Sequence, residues 1–275
     1  MKTPRILLPL AALIAAVSLA GFPSLGGLGD LVDKGAKTVK VVEKGSKAIE
    51  GLSLQDEIAI GDAVSLQIVD SFDGVWRNAE ATRRVNLIGR VLGRYTQRQD
   101  LEWRFGLLNS DEINAFSAPG GRIFITRGLY KLVANDDELA GVLGHEIEHI
   151  DRRHAVKIIA RGQGIEALKE GLTIAGKFDP AKYDGLVSGF SDVILKKGYD
   201  KDTEFDADKA GRALAATSGF APGGLRSVIE KLREKGIGSG KTFSTHPAAE
   251  ERLKKLPADP APVAAPPAVP AKPSK

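Results

Sequence analysis

The sequence predicts an α+β fold, mostly helical, with a small β-sheet beside one buried helix. Three observations predict it. Apolar residues recur at helical spacing through much of 53–256. One passage, "INAFSAPGGRIFITRGLY", reads as strand, Pro-Gly-Gly turn, strand. A third, "DDELAGVLGHEIEHIDRRH" at 136–154, sets three of the chain's four histidines among small and apolar residues, as in a buried helix.

The chain starts with Lys2 and Arg5, an apolar run from Ile6 to Val17, and small residues at Ser18 and Ala20. That is the layout of a secretory signal peptide, 1–20, and the run is short for a spanning helix. Residues 21–52 are Gly- and Lys-rich, with the quasi-repeat "DKGAK" and "EKGSK". They predict a flexible or weakly helical segment. The main domain is expected over 53–256. Ser53 is a candidate N-cap, with Asp56 and Glu57 in the first turn and Ile58, Leu66, Ile68 and Val69 as apolar positions. A second helix over 79–97 carries Val85, Leu87, Ile88, Val91 and Leu92. "LEWRFGLLNS" alternates like a strand. Strands at 113–117 and 122–126 follow, around a turn at Pro119–Gly121. Helices are expected from near Asp136, over 203–217, over 223–234, and briefly after Pro247. The tail, 257–275, is a proline-alanine segment that cannot bury a core and reads as disordered.

Composition narrows the function. Hydrophobic residues at 43% and charged residues at 27% are those of an ordinary globular protein. Removing the leader with Lys2 and Arg5 takes 39 Lys and Arg to 37 against 35 Asp and Glu, so the net charge falls from +4 to +2. No basic field for nucleic acid remains. There is no cysteine, hence no disulfide and no lipoprotein anchor. No later segment is apolar for long enough to span a bilayer, which leaves at most peripheral membrane contact.

The chemistry gathers at 145–149. Asn135 and Glu138 form a capping-box signal, and Leu139, Val142, Leu143, Ile147 and Ile150 give an apolar stripe. His145 and His149 lie four residues apart, about 40° round a helix, so their imidazoles share a face and can share a metal. Glu146 sits beside them. In this HExxH arrangement two neutral imidazoles bind Zn²⁺ and leave positions open, and the glutamate acts as general base on a zinc-activated water. A metzincin needs glycine and histidine where this chain has Arg152 and Ala155, so that class is excluded. His154 follows His145 by nine residues, about 180° round the helix, and is expected on its far side. Spacing leaves Glu166, Glu170 and Glu204 as third-ligand candidates. Glu204 and Asp208 share a helical face beside the small residues Ala207 and Gly211, which suits close helix approach. Asp208 is placed to hydrogen-bond the second nitrogen of a ligand histidine.

Four blocks together carry a resemblance: "NAFSAPGGRIFITRGL" at 114–129, "DELAGVLGHEIEHIDRRH" at 137–154, "EFDADKAG" at 204–211, and "STHPAAEERLKKL" at 244–256 with its Thr-His-Pro and Arg252. In this order they resemble the HtpX-like and CAAX-prenyl-protease-like zinc metallopeptidases, which include Oma-type and periplasmic quality-control members. The resemblance implies a zincin-like (gluzincin) domain, one Zn²⁺ per chain, Glu204 as third ligand and endopeptidase activity. The chain departs from the pattern at Asp200-Lys201, where the family often has Ser-Arg. The membrane helices of the HtpX and prenyl-protease branches are absent from the pattern, so prenylated substrates are not expected.

The expected function is a metalloendopeptidase exported to the periplasm, cleaving unfolded or misfolded polypeptides. His246 is expected to face the site, either as a donor to the oxyanion or as a zinc ligand that holds the enzyme latent. Residues Arg122, Ile123, Phe124, Ile125 and Thr126 are expected to bind extended substrate by strand addition. Two rivals are a chaperone-like binding protein on the same fold and a zinc hydrolase of a non-peptide amide such as a cell-wall bond.

Overall fold

A computed structural model describes residues 53–161, 180–237 and 246–256. The expected leader, the 21–52 segment, the tail, Glu166 and Glu170 lie outside the described residues. The elements run α1 (Leu54–Ser71), α2 (Ala79–Gly93), β1 (Arg104–Leu108), β2 (Ala115–Ala118), β3 (Arg122–Thr126), α3 (Arg127–Leu132), α4 (Asp136–Asp151), α5 (His154–Arg161), α6 (Pro180–Ser191), α7 (Lys201–Thr217), α8 (Gly224–Glu234) and α9 (Ala249–Lys255). A π-helical turn, Asp192–Lys197, joins α6 to the loop before α7.

The sheet has the order β1-β3-β2, with β1 parallel and β2 antiparallel to β3. Gly120 (φ 71°) and Gly121 (φ 89°) close the β2–β3 hairpin in a conformation that side-chain-bearing residues rarely adopt. Both sheet faces are covered, following the two-residue strand period. Phe105, Leu107, Ala115, Ile123 and Ile125 face a core built with α2, α4 and α8. Leu108, Phe116 and Ala118 face a second core built with α1, α5, α6 and the π-turn.

This topology corrects the expected substrate strand. Residues Arg122–Thr126 form the central strand, hydrogen-bonded on both sides, so no peptide can add to it. Arg122 is buried and structural: its guanidinium donates to Asp62 of α1 (2.8 Å) and to the Gly120 carbonyl. The outer edge of β1 is also occupied, because the Trp76 amide donates to Leu107 (2.8 Å) and the Asn109 amide to Gly74 (2.9 Å). That leaves β2. The Thr126 amide donates to the Asn114 carbonyl (3.0 Å), which fixes the antiparallel alternation. Ala115 and Ser117 therefore turn their main-chain groups away from β3.

Two apolar positions of the helical pattern also differ: Leu66 and Leu87 are 73% and 64% exposed. Each helix already buries a full face, through Ile60, Val64 and Ile68 in α1 and Val85, Ile88 and Leu92 in α2.

Helix α4 is the hub. Every residue from Glu138 to Ile150 is buried. The Asn135 side chain caps it, accepting from the Glu138 amide (2.9 Å). Glu138 reaches back to the Ala134 amide (2.7 Å) and pairs with Lys231 of α8. Close approach to α7 depends on glycine. A Cβ on Gly211 would lie 2.5 Å from the His145 nitrogen, and one on Gly144 would lie 2.7 Å from the Gly211 carbonyl oxygen. Both contacts are to backbone, so the helices themselves would have to part.

Gly211→Ala is therefore expected to cost about 3 kcal/mol by overpacking and to lower metal content. Denaturant unfolding and metal analysis of the purified variant check this. Wild-type stability with full metal content would contradict the close-contact account.

Candidate metal centre

Helix α4 presents His145 and His149 toward α7, which carries Glu204 one turn from its start. The two Nε2 atoms lie 3.1 Å apart. Glu204 Oε2 is 3.7 Å from His145 Nε2, and Oε1 is 3.5 Å from His149 Nε2. All three side chains are nearly inaccessible. Ligands about 2.0–2.1 Å from a tetrahedral zinc lie about 3.3 Å from one another, so the donor spacing fits that ion. Glu204 Oε1 is buried without a hydrogen-bond partner. Burial pushes the Glu204 carboxyl up to about 7, against the pull of His145 and Arg252. A native structure seldom leaves a buried carboxylate oxygen unpaired, and a bound cation is a partner that would satisfy it.

The supporting hydrogen bonds fix which ring nitrogens face the centre. His145 Nδ1 lies 2.8 Å from Asp208 Oδ1, one turn along α7 from Glu204. Asp208 in turn receives two bonds from buried Arg252 of α9 (2.9 and 2.5 Å). Despite burial, the adjacent guanidinium holds Asp208 far below the usual carboxylate range. A fixed anion on Nδ1 keeps the proton there and leaves Nε2 as a lone-pair donor.

His149 has a different support. Its Nδ1 lies 3.0 Å from Nδ1 of His154, and His154 Nε2 lies 3.4 Å from Asp206. With His149 Nε2 free to ligate, one tautomer satisfies the chain: His149 Nδ1–H donates to His154, and His154 Nε2–H faces Asp206. Burial pushes His149 well below the ordinary imidazole value and His154 down to about 4, so both rings are neutral near pH 7. The Tyr199 ring stacks on His149 at 4.1 Å and 14°. Tyr199 also hydrogen-bonds Ser117 of β2 and thus ties the ligand to the sheet edge.

The position of His154 differs from the far-side expectation. Helix α4 ends at Asp151, and Arg153 adopts φ 54°, which turns the chain back before α5 begins at His154. The imidazole so returns beside His149. Glu57 of α1 holds this turn, accepting from Arg153 (2.9 Å), from Arg98 (3.2 and 3.1 Å) and from the Gly120 amide (3.3 Å).

Glu146 is 3% exposed and lines a cavity with His145, His246 and Arg252. It makes no hydrogen bond among the described residues, so its carboxylate stands ready for a water or substrate proton. His246 Nδ1 lies 2.6 Å from Glu204 Oε2, and the donor atoms of His145, Glu204 and His246 lie within 4.8 Å of one another. Burial brings the His246 imidazole down to about 4. Asp200 and Lys201, where the chain departs from the Ser-Arg pattern, have structural partners: Asp200 caps α7 and Lys201 pairs with Glu251 of α9 (2.8 Å). Sequence reasoning missed Tyr199 and the Glu57 clasp. It noted Arg252 only within a motif. None of the three sits at a spacing that marks it.

A profile described as Peptidase family M48 matches residues 78–259, about two thirds of the chain. The chain is 27% identical over 222 residues to the beta-barrel assembly-enhancing protease of Escherichia coli (strain K12), covering 77% of this chain and 45% of that protein. It thus spans less than half of that relative. It is 31% identical over 159 residues to the mitochondrial metalloendopeptidase OMA1 of Arabidopsis thaliana, covering 58% and 32% of the two chains. It is 24% identical over 219 residues to metalloprotease LoiP of Escherichia coli (strain K12), covering 78% and 86%.

Removing the carboxylate by Glu204→Ala is expected to abolish stoichiometric zinc. Asp208→Ala is expected to weaken zinc about 10–100-fold, because the ligand set stays complete but loses its orientation. Zinc titration against a competing chelator measures both, and equal occupancy in wild type and Glu204→Ala would refute the ligand assignment.

Proposed function

The chain belongs to peptidase family M48, and from that membership we propose that it is a zinc-dependent metalloendopeptidase of unfolded and misfolded polypeptides in the periplasm. The observation that carries the reading is the donor spacing of 3.1, 3.5 and 3.7 Å around His145, His149 and Glu204, with Glu146 adjacent. Zinc held there by His145, His149 and Glu204 would supply a Lewis acid and lower the pKa of water at the site. Glu146 accepts the proton released as a peptide carbonyl is attacked and returns it to the leaving amine. Asp208 and His154 hold the two imidazoles in the tautomer that ligates, and Arg252 keeps Asp208 ionised.

Substrate class follows from what the cleft offers. The Ala115 amide already donates to the Asn114 side chain (2.9 Å), so the Ala115 carbonyl and the Ser117 main-chain groups are what suit an added strand, which favours extended polypeptide over a folded surface. β2 thus takes the role expected of Arg122–Thr126. Periplasmic location is supported by the signal-like layout of residues 1–20. No helix among the described residues is long and apolar enough to cross a membrane.

For His246, the 2.6 Å contact with Glu204 is a hydrogen bond, shorter than the spacing of two ligands on one zinc, and favours a donor facing the site over a ligand that caps the metal. The Gly236 turn that leaves α8 precedes the approach to this residue.

Glu146→Gln is expected to retain zinc while turnover of casein falls about 100-fold or more. Full activity in the zinc-loaded variant would overturn the general-base role and the reaction with it. His246→Ala is expected to lower turnover about 100-fold with little change in substrate binding. A rise in basal proteolysis would instead make His246 a ligand that holds the enzyme latent.

A further inference from the structure

Beside Glu146 lies a cavity whose walls are apolar. Helix α8 supplies Leu225, Val228, Ile229 and Leu232, α4 supplies Val142, and α3 supplies Leu129. Every one of these side chains is at least nine-tenths buried. The polar end consists of His145, Glu146, His246 and Arg252. Three of those four are already engaged: His145 and Arg252 with Asp208, and His246 with Glu204. Only the Glu146 carboxylate faces the space uncommitted.

We propose that this cavity is the specificity pocket for one substrate side chain next to the scissile bond, and that it selects a small aliphatic residue, alanine to valine. The proposal rests on the peptidase reading. Its chemistry excludes charge of either sign. An acidic side chain would meet the Glu146 carboxylate, and the one guanidinium lining the site, Arg252, is already paired with Asp208. A lysine or arginine would bury its cation among hydrocarbon walls, close to the Arg252 guanidinium. Size excludes rings. The cavity holds about 30 Å³, room for about two water-sized groups. A valine side chain matches that, and a phenyl or indole ring does not. The pocket adds a side-chain filter to the main-chain contacts at Ala115 and Ser117, so unfolded chains are cut at aliphatic positions and not uniformly.

The walls give a direct test. Val228 lies on the face of α8 turned toward Glu146 and α4, and its truncation deepens the pocket. A series of unstructured peptides differing at one residue (Ala, Val, Leu, Phe, Asp or Lys) is cleaved by zinc-loaded wild type, Val228→Ala and Leu232→Val. Cut sites are mapped by mass spectrometry, and Glu146→Gln serves as the blank. Wild type is expected to prefer Ala and Val over Phe, Asp and Lys by about tenfold or more in kcat/KM. Each enlarged variant is expected to shift the Leu-to-Val ratio upward by about tenfold, with zinc content unchanged. If Val228→Ala folds poorly, Leu232→Val, which removes a single methylene, carries the same comparison. Glu146-dependent cleavage with the same residue profile in wild type and variants would overturn the pocket alone. So would a wild-type preference for charged or aromatic residues. Absence of any Glu146-dependent cleavage would overturn the peptidase reading and the pocket together.

Discussion

The structure depends on one contact, the approach of α7 to α4 where Gly144 meets Gly211. Two helices bearing side chains at that crossing would be held farther apart than a shared metal permits, because a ligand bond is about 2 Å long and tolerates little error. With glycine on both sides, the Gly211 backbone rests against the His145 nitrogen, and Glu204 comes within 3.7 Å of the His145 and His149 imidazoles. Other contacts pull in the same direction. Gly141 admits α8 to the side of the same helix, its absent Cβ leaving space against the Leu225 backbone. The small residues of α4 thus set the distances, and the polar residues work at distances already set.

Polar support is asymmetric, and the asymmetry has a physical origin. His145 is braced by a carboxylate that a guanidinium neutralises, an arrangement stable in a dry interior because both charges are paired and hydrogen-bonded. His149 is braced by a neutral imidazole and a stacked phenol, with the charge of Asp206 moved outward to a half-exposed position shared with Arg152. A carboxylate bonded directly to His149 would add one more buried anion to Glu146, Glu204 and Asp208, of which only Asp208 is paired with a guanidinium. Passing the bond through His154 avoids that, at the expense of a left-handed turn at Arg153. Glu57 stabilises that turn from α1, which lies outside residues 78–259 that match the family profile. Helix α1 is therefore part of the frame that orients the centre.

Much of this was legible in the sequence, and the reason is periodicity. HExxH states its own geometry, since four residues on a helix bring two rings to one face. The Glu204–Asp208 pair repeats the same interval, and Gly211 and Ala207 announce a close crossing. The hairpin was legible because Pro-Gly-Gly fixes a turn. What could not be read was whatever depends on strand order or on a break in a helix. Residues 122–126 look like any exposed strand until β1 pairs beside them in parallel, from a segment separated by the whole hairpin. His154 was misplaced because counting 100° per residue assumes the helix continues, and the break at Arg153 has no glycine or proline to mark it. Leu66 and Leu87 show the converse, since an apolar residue at helical spacing need not be covered once a neighbouring stripe fills the core.

A sheet covered on both faces has no surface left for ligands except its edges. Of the two edges here, one is closed by the Gly74–Trp76 segment, so the remaining edge at β2 is the only main-chain template on the sheet among the described residues. That edge is also the one tied to the ligand set, because Tyr199 links Ser117 to the His149 ring. A chain docked on β2, as proposed, would be registered against the centre by backbone alone, with spacing set by the strand repeat and not by its sequence. Sequence can then be read only where a side chain of that docked strand leaves the sheet edge toward α8. On the proposed reading, backbone docking would set which chains are admitted, through their extended conformation, and the α8 wall would set where along them the reacting carbonyl comes to rest.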